Sequence, residues 1–327
     1  MAQAIVMTEY GGPEVLRLQQ VEVGPPGPGQ VRISQTRIGV NFHDVYVRSG
    51  LYKTLTLPGI PGIEAVGVVS DIGSGVTGLK TGDRVGYVSG AYGVYSSERL
   101  IDSNLLLSLP GDISDTQAAS ALLRGLTVEM LVNRVHQIRP GSFVLVHAAA
   151  GGVGQLLCQW ATRLGARVIG TAGSDANVEL AKAAGCEHVI RYRTEDVAAR
   201  VREFTAGCGV SVAYDGVGKD TFAGSLDSLD FLGHLVNFGQ ASGAVPPFHV
   251  TSLATRSSTL SRPIIFHYLA NSSRRRQMAE NVFSALREGW LRVKPAREFA
   301  LEDAAKSHQV LESEGASIPL LLVPRSG

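Results

Sequence analysis

The stretch FVLVHAAAGGVGQLLCQWATRLGARVIGT (residues 143–171) decides the fold of this chain. Phe143–His147 is an apolar run of strand length, and it breaks into Gly151, Gly152 and Gly154, which predict a tight turn. Leu156, Leu157, Trp160, Ala161 and Leu164 then recur at helical spacing. Gly165 stops the helix, and Arg167–Thr171 begins a second strand. Strand, glycine turn, helix and strand form the βαβ unit that binds a dinucleotide. Glycines let the backbone approach a pyrophosphate, whose charge is met by N–H groups at the helix start. Ala149, Gly151, Gly152, Val153 and Gly154 are therefore the first candidate cofactor-binding residues.

Downstream the alternation continues. The pattern predicts a helix over Ala176–Ala184, a strand over Glu187–Tyr192 and a helix over Asp196–Phe204. It then predicts a strand over Val210–Asp215, a helix over Thr221–Leu229 and a strand over His234–Phe238. That rhythm belongs to a doubly wound parallel sheet in an α/β fold. Upstream the texture differs. Short β-like stretches (Ala4–Met7, Val31–Gly39, Ala65–Asp71, Arg84–Tyr87) are separated by glycine and proline turns, which predicts a mainly β domain over 1–123. A helical pattern starts at DTQAASALLRGLTVEMLVNRV, with Ser114 or Asp115 as N-cap. The nucleotide-binding domain is placed at 124–265. The remainder, 266–327, holds helices around Met278–Arg287 and Glu302–Ser313 and the apolar stretch Ile318–Val323, and is expected to return to the first domain.

Composition narrows the class. The 327 residues suffice for two cores, and a formal net charge of +1 offers no bulk attraction to nucleic acid or an anionic membrane. The run Arg274–Arg276 is the sole basic cluster and reads as a solvated helix start. No apolar run approaches the ~20 residues of a membrane span, and the amino-terminal segment lacks a signal-peptide pattern. Cys158, Cys186 and Cys208 are three and scattered, which suggests free thiols in a reducing compartment. The expectation is a soluble cytoplasmic protein with no nucleic-acid or membrane partner.

Five segments carry a specific resemblance: YGGPEVL (10–16), GVNFHDVYVRSGLY (39–52), PGIEAVGVV (61–69), GLTVEMLV (125–132) and HAAAGGVGQLLCQWA (147–161). In this order they resemble the medium-chain dehydrogenase/reductase superfamily, and within it the zinc-independent quinone oxidoreductases related to zeta-crystallin. The resemblance implies a GroES-like catalytic domain, a Rossmann domain, an active cleft between them and a homodimer. It also implies what is missing. Zinc-using members hold the metal with a cysteine near the position of Asn41 and a histidine near Ile63; an amide and an aliphatic side chain replace neither. No metal site is expected, and His43 and His147 are not assigned one. Without a metal to polarise an unactivated carbonyl, conjugated acceptors such as quinones and α,β-unsaturated carbonyls are the natural substrates.

The resemblance places Asn41 beside the nicotinamide, where its amide donates to an acceptor oxygen or to the cofactor. Tyr46 and Tyr52 supply hydroxyls and rings for a quinone, and Asp44 orients its neighbours. Arg262 in SRP (261–263) and Thr127 resemble family residues near the site. Gly216 and Val217, with Phe238, Gly239 and Ala241, lie where two strands end, which is where ligands sit in an open α/β sheet. For the choice of cofactor, the window Thr171–Ser174 carries no acid for a ribose 2′-OH, and Asp175 comes slightly late. Gly173, Ser174, Asn177 and Tyr192 complete the candidate set, and NADPH is preferred to NADH. Yet a family lysine is replaced by Asn177 and a C-terminal arginine by Glu314 and Gly315, so weaker discrimination is expected. Arg191 and Arg193 compensate if they face the phosphate. The leading function is an NADPH-dependent quinone reductase. The alternatives are an enone or 2-alkenal reductase, and a non-catalytic NADPH- or RNA-binding protein of the crystallin kind.

Overall fold

The structure is a computed structural model that describes residues 1–315 and 317–325. The chain divides into two units. One contains Met1–Leu123, Tyr268–Arg287 and the chain from Val293 onward; the other contains Arg124–His267 and Glu288–Arg292.

In the first unit, β1 (Ala2–Val6) and β2 (Arg17–Val21) form an antiparallel pair. Strands β3 (Gln30–Val40), β4 (Glu64–Ile72), β5 (Arg84–Val88), β6 (Glu98–Asp102) and β7 (Leu107–Ser108) follow, and helix α1 (Phe42–Arg48) springs directly from β3. Alternation along β3 buries Val31, Ile33 and Gln35 on one face. The buried Gln35 amide is satisfied by the carbonyl oxygens of Val94 and Ser96 and by the Tyr87 hydroxyl. Helix α2 (Asp115–Met130) is capped by Ser114, whose Oγ accepts from Gln117 N–H at 3.2 Å. Asp115 is not the cap, because its carboxylate is engaged by Thr36 at 2.6 Å and Arg84 at 2.9 Å.

The second unit is built on β8 (Phe143–Val146), α3 (Gly152–Arg163), β9 (Arg167–Ala172), α4 (Asp175–Ala183), β10 (His188–Arg191), α5 (Val197–Phe204), β11 (Val210–Asp215), α6 (Phe222–Asp227), β12 (Leu229–Asn237), β13 (Thr259–Ser261) and α7 (Ile265–Leu269). The strands are parallel in the order β10-β9-β8-β11-β12-β13, so the chain reverses its direction of travel across the sheet between β8 and β11. Leu145, Ile169, Ile190, Ala213 and Leu235 form the core of this sheet. Several expected spans shift at their ends, and the helix expected over Thr221–Leu229 stops at Asp227. β10 ends at Arg191, which leaves Tyr192 in the turn beyond it. β12 starts at Leu229 instead of His234, because Leu229 pairs with Val210 across an irregularity in register. That irregularity turns Phe231 and Leu232 outward, 70% and 78% exposed, and masks the strand pattern.

The rest of the chain contributes α8 (Ser272–Arg287), β14 (Arg297–Ala300), α9 (Ala304–Glu314) and β15 (Leu320–Val323). β15 pairs antiparallel with β3 and parallel with β14, giving a first-unit sheet ordered β14-β15-β3-β4-β5-β7 with β6 on β3. The expected return 266–327 thus ends in a strand of this sheet, and its residues 316, 326 and 327 lie outside the described residues. The basic cluster is only partly solvated. Arg274 and Arg276 are exposed, but Arg275 is buried and donates to the carbonyl oxygens of Leu269 and Asn104. The cysteines are free thiols, as expected, and Cys158 and Cys186, 28 residues apart in sequence, bring their sulfurs to 3.4 Å in the core.

Candidate active site

The glycine turn of the second unit is built for close approach. Ala148 adopts a left-handed φ of 50°, and its carbonyl accepts from Gly151 N–H at 2.8 Å. A Cβ on Gly154 would lie 2.2 Å from that same carbonyl oxygen, so only glycine lets α3 start against the turn. A Cβ on Gly152 would meet the guanidinium of Arg124 at 2.7 Å, a cation beside the turn that sequence reading did not single out. The first N–H groups of α3 have no partner within the helix and are disposed to meet a pyrophosphate.

Beneath the turn, His147 is buried. Its Nε2 lies 2.9 Å from Ser225 Oγ and its Nδ1 3.3 Å from Thr171 Oγ1. Burial lowers its pKa, so it is a neutral structural link. Asp215, the last residue of β11, accepts from Val217 N–H (2.8 Å), Gly218 N–H (2.9 Å) and the hydroxyls of Thr221 (2.8 Å) and Ser225 (3.0 Å). It thereby shapes the loop carrying Gly216 and Val217. That loop is zipped to the next: Ala241 N–H donates to Gly216 O, and a Cβ on Gly239 would stand 2.4 Å from Gly216 O. The Phe238 ring lies 2.9 Å from the Cβ position of Gly216. Arg262, just after β13, donates to the carbonyl of Asn237 at 3.0 Å, while Thr127 is half-buried on α2. At the ends of β9 and β10, the Tyr192 hydroxyl covers Gly173, and Ser174 Oγ accepts from Asn177 N–H at 3.3 Å.

In the first unit the segment 41–52 forms a separate cluster. The Asp44 carboxylate accepts from Asn41 N–H at 2.9 Å and anchors the start of α1. The Asn41 amide donates to Glu64 Oε1 at 2.7 Å, and Glu64 Oε2 accepts from Leu123 N–H at 2.8 Å. Gly39 makes room for that carboxylate, since its Cβ would fall 2.2 Å from Glu64 Oε1. Glu64 therefore turns the Asn41 nitrogen toward itself; one amide hydrogen and the carbonyl oxygen are left to other partners. Tyr46 and Tyr52 pack edge to face at 5.2 Å, and His43 lies 5.6 Å from Tyr52 and 6.0 Å from Tyr92. Burial lowers the His43 pKa to about 4, so it is neutral at physiological pH.

Asp44 is fully buried, and desolvation raises its pKa to about 8 against the opposing hydrogen bonds of Asn41 and Tyr95. Tyr95 donates to Asp44 Oδ2 at 3.1 Å and sits 3.0 Å from His308 Nε2. His308 Nδ1 is 3.4 Å from Arg48 Nη1, and Arg48 grips Glu312 with two bonds of 2.8 Å. Arg48 is always a donor, so Nδ1 accepts, Nε2–H donates to Tyr95, and the bonds from Arg48 through His308 and Tyr95 all point toward Asp44, while Arg48 also donates to Glu312 on its other side. Glu64, Tyr95, Arg48 and His308 were missed by sequence reading. Glu64 alone carries a local signal, as the single acid in the apolar stretch PGIEAVGVV.

The alcohol dehydrogenase GroES-like domain matches residues 27–111, and the zinc-binding dehydrogenase family matches residues 152–284. Among the described residues, no three His, Cys, Asp or Glu side chains are grouped to hold a metal ion. No described helix is long and apolar enough to cross a membrane. The chain is 40% identical to a 2-haloacrylate reductase of Burkholderia sp. over 100% of both chains. It is 41% identical to quinone oxidoreductase 1 of Escherichia coli (strain K12), covering 99% of this chain and 100% of that one. The solved Escherichia coli quinone oxidoreductase complexed with NADPH superposes with a TM-score of 0.96 at 40% identity, over 99% of this chain and 100% of the other.

Proposed function

The chain belongs to the quinone oxidoreductases of the medium-chain dehydrogenase/reductase superfamily, and from that premise we propose that it is an NADPH-dependent, zinc-independent quinone reductase. The observation that carries this reading is the Asn41 amide held by a buried carboxylate, an oriented hydrogen-bond donor where a metal-using relative would place a thiolate. The turn at Gly151–Gly154 fits a pyrophosphate, because a Cβ would strike backbone at Gly154 and the Arg124 guanidinium at Gly152, so that only glycines allow this close approach. When bound, NADPH supplies the hydride, and the quinone takes it up with one proton to leave a hydroquinone.

The residues of the chain then divide the work. Asn41 donates its remaining amide hydrogen to the oxygen on which charge develops. The rings of Tyr46 and Tyr52 pack on the planar acceptor, and their hydroxyls lie at its edge. Gly216, Val217, Phe238, Gly239 and Ala241 form the zipped loops along the cofactor, with Thr127 and Arg262 at its nicotinamide end. Replacing Asn41 with alanine is expected to lower kcat by about 10²-fold with little change in the Kd of NADPH. Equal losses in kcat and NADPH affinity would show that Asn41 is a binding residue only.

The deciding assay is oxidation of NADPH and NADH at 340 nm with 1,4-benzoquinone, 9,10-phenanthrenequinone and 2-hexenal. NADPH loss with the quinones alone supports the proposal, and turnover of the alkenal alone replaces it. The second reading, reduction of an activated double bond, is favoured by the full-length similarity to a 2-haloacrylate reductase. We also propose a homodimer. β13 is a three-residue edge strand, and Phe231 and Leu232 stand exposed on the neighbouring β12. Sedimentation equilibrium giving a single monomeric species would rule this out. A cytoplasmic location is consistent with the free, closely placed thiols of Cys158 and Cys186.

A further inference from the structure

The register of the second-unit sheet sets Arg191, the last residue of β10, opposite Ala172, the last of β9. Gly173, Ser174 and Asp175 follow Ala172, and Asp175 opens α4. Across this strand end Arg191 Nη2 lies 2.8 Å from Asp175 Oδ1, in a pair whose side chains are 54% and 81% exposed. The Tyr192 hydroxyl covers Gly173 beside it. The end of the second strand is where an open α/β sheet meets the adenosine ribose; an acid there takes a 2′-OH, and an arginine there takes a 2′-phosphate. This chain carries both groups and ties them to each other.

We propose that the Asp175–Arg191 ion pair selects the cofactor, Arg191 being the cation that receives the 2′-phosphate and Asp175 the carboxylate that competes with the phosphate for it. The inference rests on NADPH as cofactor, but not on the identity of the acceptor. An exposed carboxylate–guanidinium pair is held by little more than its own screened attraction, so a more highly charged anion displaces it at small cost. A phosphate carries more charge and accepts the guanidinium fork in two parallel bonds. The backbone of Arg191 is held meanwhile, since its N–H donates to Glu195 at 2.7 Å. Glu195 is itself paired with Arg200 at 2.9 Å, so it does not take over the Arg191 guanidinium. Asn177 brings no charge, and its N–H is engaged by Ser174. Asp175 has opposite effects on the two cofactors. It repels a phosphate and accepts a hydroxyl, so the pair sets a moderate preference instead of an absolute one.

The test is direct binding to the full-length protein without any acceptor. NADPH and NADH are titrated by fluorescence, and 2′,5′-ADP and 5′-ADP by calorimetry, against R191A, D175N and the double variant. Both side chains are exposed, so the variants retain the fold. R191A is expected to weaken NADPH and 2′,5′-ADP by about tenfold or more and to leave NADH nearly unchanged. D175N is expected to tighten NADPH severalfold and weaken NADH, and the loss caused by R191A is expected to shrink once Asp175 is gone. If R191A weakens both cofactors equally, or D175N leaves their ratio unmoved, the proposal is overturned. A wild-type preference for NADH that reverses in D175N would uphold the pair as selector and remove NADPH as the cofactor.

Discussion

Replacing Gly154 with valine is expected to weaken NADPH binding by about hundredfold and to destabilise the second unit by about 1–3 kcal/mol. The atoms that a Cβ would strike are backbone, Ala148 O at 2.2 Å and Ala149 Cα at 2.9 Å. They cannot rotate away as a side-chain end would. Ala148 is further constrained by its left-handed φ and by the bond its carbonyl receives from Gly151. The turn must therefore open, and the first N–H groups of α3 leave the position from which they meet a pyrophosphate. Gly224 on α6 is the matched control, because no atom lies within 4 Å of its Cβ position. Gly224→Ala is expected to raise stability by about 0.5–1 kcal/mol and leave NADPH affinity unchanged. Fluorescence titration of NADPH and urea unfolding measure both effects. A Gly154→Val protein that binds NADPH like the wild type would refute the close-approach role of this glycine.

The second large effect is a pH dependence of stability carried by Asp44. Its pKa is about 8 in the folded protein, against an ordinary value of 3.8, and burial is the main cause. Between those two values the native state keeps a proton that the unfolded chain has lost. Stability contributed by this group therefore falls as pH rises, with a slope approaching about 1.4 kcal/mol per pH unit, and levels off above about pH 8. Asp44→Asn cannot titrate, and its amide oxygen still accepts from Asn41 and Tyr95. The variant should gain on the wild type at each step from pH 5 to pH 8 in urea unfolding. His43 and His308, lowered by burial to about 4 and about 3, act in the opposite direction below their ordinary value of 6.5. Both are present in both proteins, so they cancel in the difference. Glu64, which raises the Asp44 pKa through its charge, is likewise common to the two. Parallel stability curves would show that Asp44 is ionised in the fold and that its burial is offset by other means.

The nucleotide-binding turn was legible because its requirements are local. A strand, three glycines and a helix within 143–171 specify one backbone path, and the clash at Gly154 is one that such a path imposes, whereas the guanidinium met at Gly152 comes from Arg124, outside the stretch. The alternation that follows was legible for the same reason, apart from β12, where a register shift against β11 turned Phe231 and Leu232 to the outside. The cluster proposed to act in catalysis was only half legible. Asn41, Asp44, Tyr46 and Tyr52 stand within one segment, but the groups that hold them do not. Glu64 reaches Asn41 from β4, and His308 reaches Tyr95 from α9.

Pattern and composition thus determined that this chain builds a parallel nucleotide-binding sheet and a mainly β unit, since period, glycine placement and turn chemistry act over a few residues at a time. Tertiary structure decided how the side chains are used. It turned the Asn41 amide with Glu64, put Asp44 out of reach of water, brought Cys158 beside Cys186 and tied Arg191 to Asp175. Those outcomes depend on desolvation and on hydrogen bonds between distant segments, whose strength is set by burial and direction in space. Neither quantity exists until the chain has folded.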